Sequence, residues 1–269
     1  MSALLNIKNA PNRPLTNPVL LMLAGMGATL FVSGFLLSAK APNAPNTLTR
    51  SEVREGWKLL FDGKTTTGWR GAYKTTFPEK GWDVKDGTLT IQKTNGSESQ
   101  SFGDIVTTDE YSQFDLRFDF KLSEGANSGV KYFVAETTPK PAGSAFGLEY
   151  QVLDDERHPD AKLGREGNRT VGSLYDLITA KDKTINPIGQ WNTGRVLVRG
   201  NHVEHWLNGK QVLAYERGSA AFRDLVAKSK YAAPAYNANG RFGEAPKGHI
   251  LLQDHGEQVA FRNIKILSK

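Results

Sequence analysis

The chain has 269 residues, 39% of them apolar, 10% aromatic and 23% charged, which excludes disordered, collagen-like and repeat-array classes. Thirty-four Lys and Arg against 28 Asp and Glu give a net charge of +6, and Lys8, Arg13 and Lys40, in an acid-free stretch 1–41, supply half of it. The remainder has no basic run, so nucleic acid is not the expected partner, and zero cysteines exclude disulfides, thiolate metal sites and a Cys nucleophile.

Residues 15–39 carry no charge, and Val19–Leu37 is an apolar run of 19 residues, about the length of a membrane-spanning helix. Lys8 and Arg13 before it orient that end toward the cytoplasm. Ala39-Lys40-Ala41 is a small-x-small triplet suited to a signal peptidase. Residues 1–41 thus read as a cleaved signal or a retained anchor, with 18–38 as the membrane segment. The tract 42–54, rich in Pro and Asn, reads as a linker, and 55–269 as the functional domain. The expected location is outside the cytoplasm, periplasmic or tethered to the inner membrane.

The body alternates with period two. Trp82–Lys85, Asp86-Gly87 and Thr88–Ile91 predict a hairpin with a type I′ turn. Phe114, Leu116, Phe118, Phe120 and Leu122 alternate with charged residues, the pattern of a half-buried antiparallel strand. Residues 195–199, 202–207 and 210–215 predict a meander with Asn208-Gly209 at its second turn, and 249–253 and 258–266 the last two strands. Only 219–230 has helical spacing, with Ala221, Phe222, Leu225 and Val226 on one face. The result is an all-β antiparallel sandwich or jelly roll with one short helix, preceded by the N-terminal apolar helix. Loop-rich stretches at 154–190 and 229–247 are long enough to serve function.

The strings GxSxG, Walker A, HExxH, EF-hand loop and dinucleotide fingerprint are absent. What remains is polar residues within strands. On 147–154, alternation puts Glu149 and Gln151 on one face and Tyr150 and Val152 on the other. That face is either the floor of a polar cleft or a solvated outer surface. Asp154-Asp155-Glu156 with His158 and Asp160 is either a solvated loop or a set of ligands for a divalent cation. His255 falls in a turn between strands. Trp69, Trp191 and Tyr175 suit either core packing or stacking on sugar rings. Asn208, before a hairpin turn, reads as structural.

A series of phrases then carries a resemblance. In order they are Trp57–Gly63 with Thr67-Gly68-Trp69, Asn127-Ser128-Gly129-Val130, Glu149–Asp154 and Gly172-Ser173-Leu174-Tyr175. Gly189-Gln190-Trp191-Asn192, His205–Gly209, Leu251–Gly256 and Phe261-Arg262-Asn263-Ile264 complete them. In this order and spacing the chain, over about 55–267, resembles the 3-keto-disaccharide hydrolase domain family. The resemblance implies a concanavalin/laminin-G-like sandwich and cleavage of glycosides already oxidised at sugar C3.

The C3 carbonyl acidifies C2–H, so a base can remove that proton, the C1 leaving group departs by elimination, and water adds to the alkene. This route needs one base and one donor or cation for the developing oxyanion, not the two spaced carboxylates of ordinary glycosidases. The resemblance points to Glu149 as general base or metal ligand. Asp154 is expected to orient it or bind a cation, and His255 to act as acid toward the leaving oxygen. Lys131, where the family often has Arg, is expected to hold the enolate. Gln151, Tyr175, Trp191, Asn192 and Gln253 are the candidates for sugar hydroxyls and stacking. A divalent metal, if one is used, has Glu149, Asp154 and His158 as candidate ligands, and no cofactor is otherwise implied. The oxidised sugar would come from a separate oxidoreductase. A lectin-like binding domain without turnover is the alternative reading, and a two-carboxylate glycosidase a third.

Overall fold

In the computed structural model the described residues are 44–94, 102–138, 140, 144–237 and 239–269. The apolar stretch 15–39, with the expected signal or anchor, lies outside them. No helix among the described residues is long and apolar enough to cross a membrane.

Two antiparallel sheets make up the body. The eight-stranded sheet runs β11 (Lys210–Glu216), β10 (His202–Leu207), β9 (Trp191–Arg199), β6 (Phe114–Leu122), β13 (Val259–Ser268), β4 (Thr88–Ile91) and β3 (Trp82–Lys85), with β1 (Lys58–Leu59) also on β13. The five-stranded sheet runs β2 (Trp69–Gly71), β5 (Ile105–Thr107), β12 (His249–Leu252), β7 (Asn127–Ala135) and β8 (Phe146–Leu153). This is the expected sandwich.

The core forms where the inward residues of β6 meet those of β7 and β8. Phe118 lies edge-on to Tyr150 with centroids 5.3 Å apart, and Phe114 meets Tyr132 at 6.2 Å. Each such fully buried side chain contributes about 1.5–3 kcal/mol by leaving water. The turns follow from local chemistry: Asp86 and Gly87 have φ of 52° and 71°, and Asn208 and Gly209 have 49° and 80°, the pair of positive values a type I′ turn requires.

Two local readings change. The described part of the 42–54 tract is not an open tether. Asn46 exchanges hydrogen bonds with Asn263, donating from its N–H at 2.6 Å and accepting at 2.8 Å. Helix α1 (Arg50–Glu55) then starts on a capping box of Thr49 and Glu52. Helix α2 (Ala220–Ala227) is shorter than the spacing suggested. It begins at the Ser219 cap, buries Phe222 and Val226, and ends at Lys228. A separate 3-10 turn, Lys230–Ala232, follows, with the Ser229 side chain accepting from Tyr231 N–H.

Candidate active site

Strand parity builds the site. Tyr150 and Val152 point into the core between the sheets. Glu149 and Gln151 therefore stand on the opposite face of the five-stranded sheet. They are not solvated there: Glu149 is 4% exposed and Gln151 1%. Loops cover that face and leave a cleft of about 340 Å³ over β7 and β8, within the ~300–1,000 Å³ range of small-molecule sites. Lys131, Glu149, Gln151, His158, Tyr175, Gln253 and His255, all expected in the site, line it.

Lys131 and Glu149 are cross-strand partners on β7 and β8, and their charged ends lie 3.8 Å apart. The Lys131 ammonium also donates to Ser144 Oγ and to the Ala145 carbonyl at 3.3 Å. Ser144 Oγ donates to Asp104, whose other oxygen accepts Asp254 N–H at 2.9 Å. The carboxylate is thus seated beside a fixed cation, and Gly129 on β7 provides its space. Gln151 is oriented by accepting Val152 N–H at 3.0 Å. The Gln253 backbone is locked onto β7 through Gly129 O at 2.9 Å and Ser128 Oγ at 2.7 Å.

At the other end of the cleft, His255 Nδ1 lies 3.0 Å from Glu257 Oε2. A neutral ring that donates Nδ1–H to the carboxylate carries its lone pair on Nε2, the arrangement of an oriented acid–base histidine. His158 meets His255 edge-on at 5.6 Å, and its Nε2 is 3.8 Å from Glu257. Burial pushes the His158 pKa down, against the pull of Glu257.

Among the described residues, His158, His255 and Glu257 form the set whose potential metal-ligand atoms lie within 4.8 Å of one another. The structure thus groups His158 with His255 and Glu257, not with Glu149 and Asp154. His158 Nδ1 accepts Asp160 N–H at 3.2 Å, so the neutral ring keeps its proton on Nε2. A metal on that nitrogen requires the other tautomer and the loss of this bond.

Three expected residues stand elsewhere. Asp154 closes a turn: its carboxylate accepts Gly125 N–H at 2.9 Å, Glu156 N–H at 3.1 Å and Arg157 N–H at 3.3 Å. Burial pushes its pKa up, but these hydrogen bonds outweigh it and hold the group below the ordinary carboxylate range. Its lone pairs are used in that turn, and it does not line the cleft. Trp191 is on the outer face of the other sheet, under Arg262 at 4.0 Å and Lys121 at 4.9 Å. Asn192 is buried beside it and accepts from Asn186 N–H and Asn208 Nδ2, both at 2.8 Å. Both belong to a strand of the eight-stranded sheet and do not line the cleft. Asn208 is structural as expected, accepting Thr193 N–H at 2.8 Å.

The structure adds residues to the cleft. Lys230, Tyr231 and Tyr236 line it from the loop after α2, and Asn127 from the start of β7. The Asn127 Oδ1 is buried without a hydrogen-bond partner, so the cleft wall holds an acceptor ready for a donor. Asp160, the cleft's second lining carboxylate besides Glu149, is tied to Arg169 at 2.8 Å. Asn127, within the Asn-Ser-Gly phrase, Asp160, at the end of the acidic run, and Glu257, two residues after His255, carried a sequence signal. Lys230 lies in a stretch without periodicity.

A sandwich with an ion-paired carboxylate and an oriented histidine in one cleft defines a polar-substrate enzyme site. Residues 56–267 match the family described as the 3-keto-alpha-glucoside-1,2-lyase-like domain. A 3-keto-disaccharide hydrolase of Bacteroides thetaiotaomicron is 37% identical over 227 residues, covering 79% of this chain and 78% of the relative. Two crystal structures of candidate glycosyl hydrolases from Parabacteroides distasonis are similar as well. One has a TM-score of 0.72 at 33% identity, covering 84% of this chain and all of the other. The second has a TM-score of 0.57 at 30% identity, covering 79% and 99%. The chain is an enzyme of the hydrolase/lyase class. It belongs to the 3-keto-alpha-glucoside-1,2-lyase-like domain family.

Proposed function

We propose that this enzyme cleaves 3-keto-glycosides by elimination and hydration. The single observation that carries this reading is one cleft holding both the Lys131–Glu149 pair, 3.8 Å apart, and the His255–Glu257 pair, 3.0 Å apart. Glu149 takes the C2 proton. Lys131, 3.8 Å away, holds that carboxylate in place. The electrons of the C2–H bond pass to the C3 oxygen as an enolate, which requires a hydrogen-bond donor or a cation in the cleft. The enolate collapses to C1=C2 and restores C3=O while the C1–oxygen bond breaks. His255, protonated and held by Glu257, gives its proton to the departing oxygen. Water then adds across C1=C2, hydroxyl to C1 and proton to C2. Asn127, Gln151, Tyr175 and Gln253 serve the remaining hydroxyls and ring faces.

Supporting the substrate assignment are the family and the hydrolase from B. thetaiotaomicron. The paired-carboxylate route of ordinary glycosidases fits less well, because Asp160 is bound by Arg169 and Asp154 is consumed in a turn. We further propose that 15–39 directs the domain out of the cytoplasm as signal or anchor, on the strength of its uncharged apolar run. On this reading a separate oxidoreductase supplies the 3-keto sugar. The test is aglycone release from a 3-keto-glucoside beside the unoxidised glucoside, with and without EDTA. Release from the keto substrate alone supports the reading, equal release from both overturns it, and the EDTA arm decides whether a metal at His158, His255 and Glu257 takes part.

A further inference from the structure

The reaction needs a donor or cation at the C3 oxygen, and two lysines line the cleft among the described residues, Lys131 and Lys230. An ammonium has three N–H donors. Two of those of Lys131 go to Ser144 Oγ and the Ala145 carbonyl, and the ammonium is also ion-paired with the Glu149 carboxylate at 3.8 Å. Turning to a substrate oxygen would loosen the ion pair with Glu149 or break one of the two hydrogen bonds inside a buried network. Its place is to hold Glu149.

Lys230 is in the opposite condition. The residue is exposed at the cleft rim, and its ammonium lies over tyrosine rings: 4.3 Å from the Tyr175 centroid, 5.2 Å from Tyr231 and 6.0 Å from Tyr236. Ring faces stabilise the charge but accept no strong N–H···O bond. Among the described residues this ammonium has these rings as partners and makes no hydrogen bond or ion pair, which leaves its N–H donors open to a ligand in the cleft it lines. The backbone holds it there. Helix α2 stops at its Lys228 cap, and Lys230 N–H donates to Asp176 Oδ2 at 2.7 Å, while Asp176 Oδ1 accepts from Arg169 at 2.7 Å. Desolvation lowers the Lys230 pKa, Glu149 and Asp176 raise it, and Lys131 and Arg169 lower it. An ammonium softened in this way shares its proton more readily with an enolate oxygen than an ammonium in bulk water does.

We propose that Lys230 is a catalytic residue, donating from its ammonium to the C3 oxygen of the bound keto sugar and holding the enolate formed when Glu149 removes the C2 proton. This rests on the elimination reading above. The bookkeeping is closed: the C2–H electrons move to C2=C3 with the charge on oxygen, Glu149 keeps the proton, and Lys230 contributes hydrogen bonding alone.

The test compares the full-length wild type with Lys230→Gln and Lys230→Arg on a 3-keto-glucoside. In parallel, C2–H exchange in D2O is followed on a 3-keto sugar that lacks a C1 leaving group. Loss of an oxyanion donor predicts a fall of about 10²-fold or more in kcat for Lys230→Gln with KM little moved, and partial recovery for Lys230→Arg. C2 exchange should fall in parallel, at an unchanged melting temperature. Lys230→Met, which keeps the stem over the rings, replaces Lys230→Gln if that variant loses its fold. Wild-type turnover with kcat and exchange of the variant within about threefold overturns the assignment of Lys230 alone. Absence of wild-type turnover on the keto substrate overturns the elimination reading and this one with it.

Discussion

Glu149 is seated against Gly129: a Cβ added to Gly129 would stand 2.2 Å from Glu149 Oε1 and 2.9 Å from its Cγ. No real Cβ contact is that short, so the glycine of the Asn-Ser-Gly phrase is there for space. Its φ is not in the left-handed region. Gly129→Ala should displace the carboxylate from Lys131 and lower kcat by about 10²-fold, the scale of a 1 Å misplacement. The stability cost should stay near 1–3 kcal/mol, the range of overpacking. Turnover and thermal melting measured together check this. Unchanged kcat in a folded Gly129→Ala protein would contradict the placement.

Trp191 provides the converse. It lies on the eight-stranded sheet under Arg262 and Lys121, outside the cleft. Trp191→Ala should lower the melting temperature and leave kcat/KM on the keto substrate within about twofold, since its loss is one of packing. A selective rise in KM without a stability change would return Trp191 to the site.

These two residues show what the sequence could and could not reveal. The alternation that placed Tyr150 and Val152 inside the core also placed Glu149 and Gln151 on the other face, because side chains alternate along a strand. It could not say whether loops cover that face, and here they do. Trp191 suits sugar stacking by its chemistry and shares a family phrase with Asn192, but neither feature reveals which sheet a strand joins. Asp154 looked like a ligand because it sits in an acidic run. Its lone pairs are spent on Gly125, Glu156 and Arg157 N–H groups, a matter of backbone path. Lys230 carries no sequence signal because its position depends on where α2 stops and on Asp176, 54 residues away in sequence.

The His255–Glu257 pair makes a prediction that depends on the leaving group. If His255 protonates the departing oxygen, His255→Ala and Glu257→Gln should both slow release of an alkyl or sugar aglycone by about 10²-fold or more. Release of nitrophenolate, which leaves without a proton, should be slowed far less. Equal losses on both substrates would assign the pair to binding or folding.

His205 couples the fold to pH. It is wholly buried, lies 2.9 Å from the Gly172 carbonyl through Nδ1 and 2.8 Å from the Tyr132 hydroxyl through Nε2, and burial drives its pKa from 6.5 to about 4. Between these values the unfolded chain binds a proton that the folded chain refuses. Stability from this group is therefore complete above pH 6.5 and declines as pH falls toward 4, by about 3 kcal/mol. Urea unfolding of wild type and His205→Gln across pH 4–7 should show a variant that is weaker at pH 7 but has the flatter profile. Parallel profiles would contradict a neutral His205.

The most direct measurement of the central claim is turnover of a 3-keto-glucoside by the full chain in D2O, stopped early, with the product's C2 position read by NMR against an enzyme-free control. Elimination followed by hydration predicts one solvent deuterium at C2 in the released keto sugar, above the control, and loss of both release and label in Glu149→Gln. Aglycone release with protium retained at C2 would mean direct displacement at C1, and the C2-proton mechanism proposed for Glu149 would be wrong.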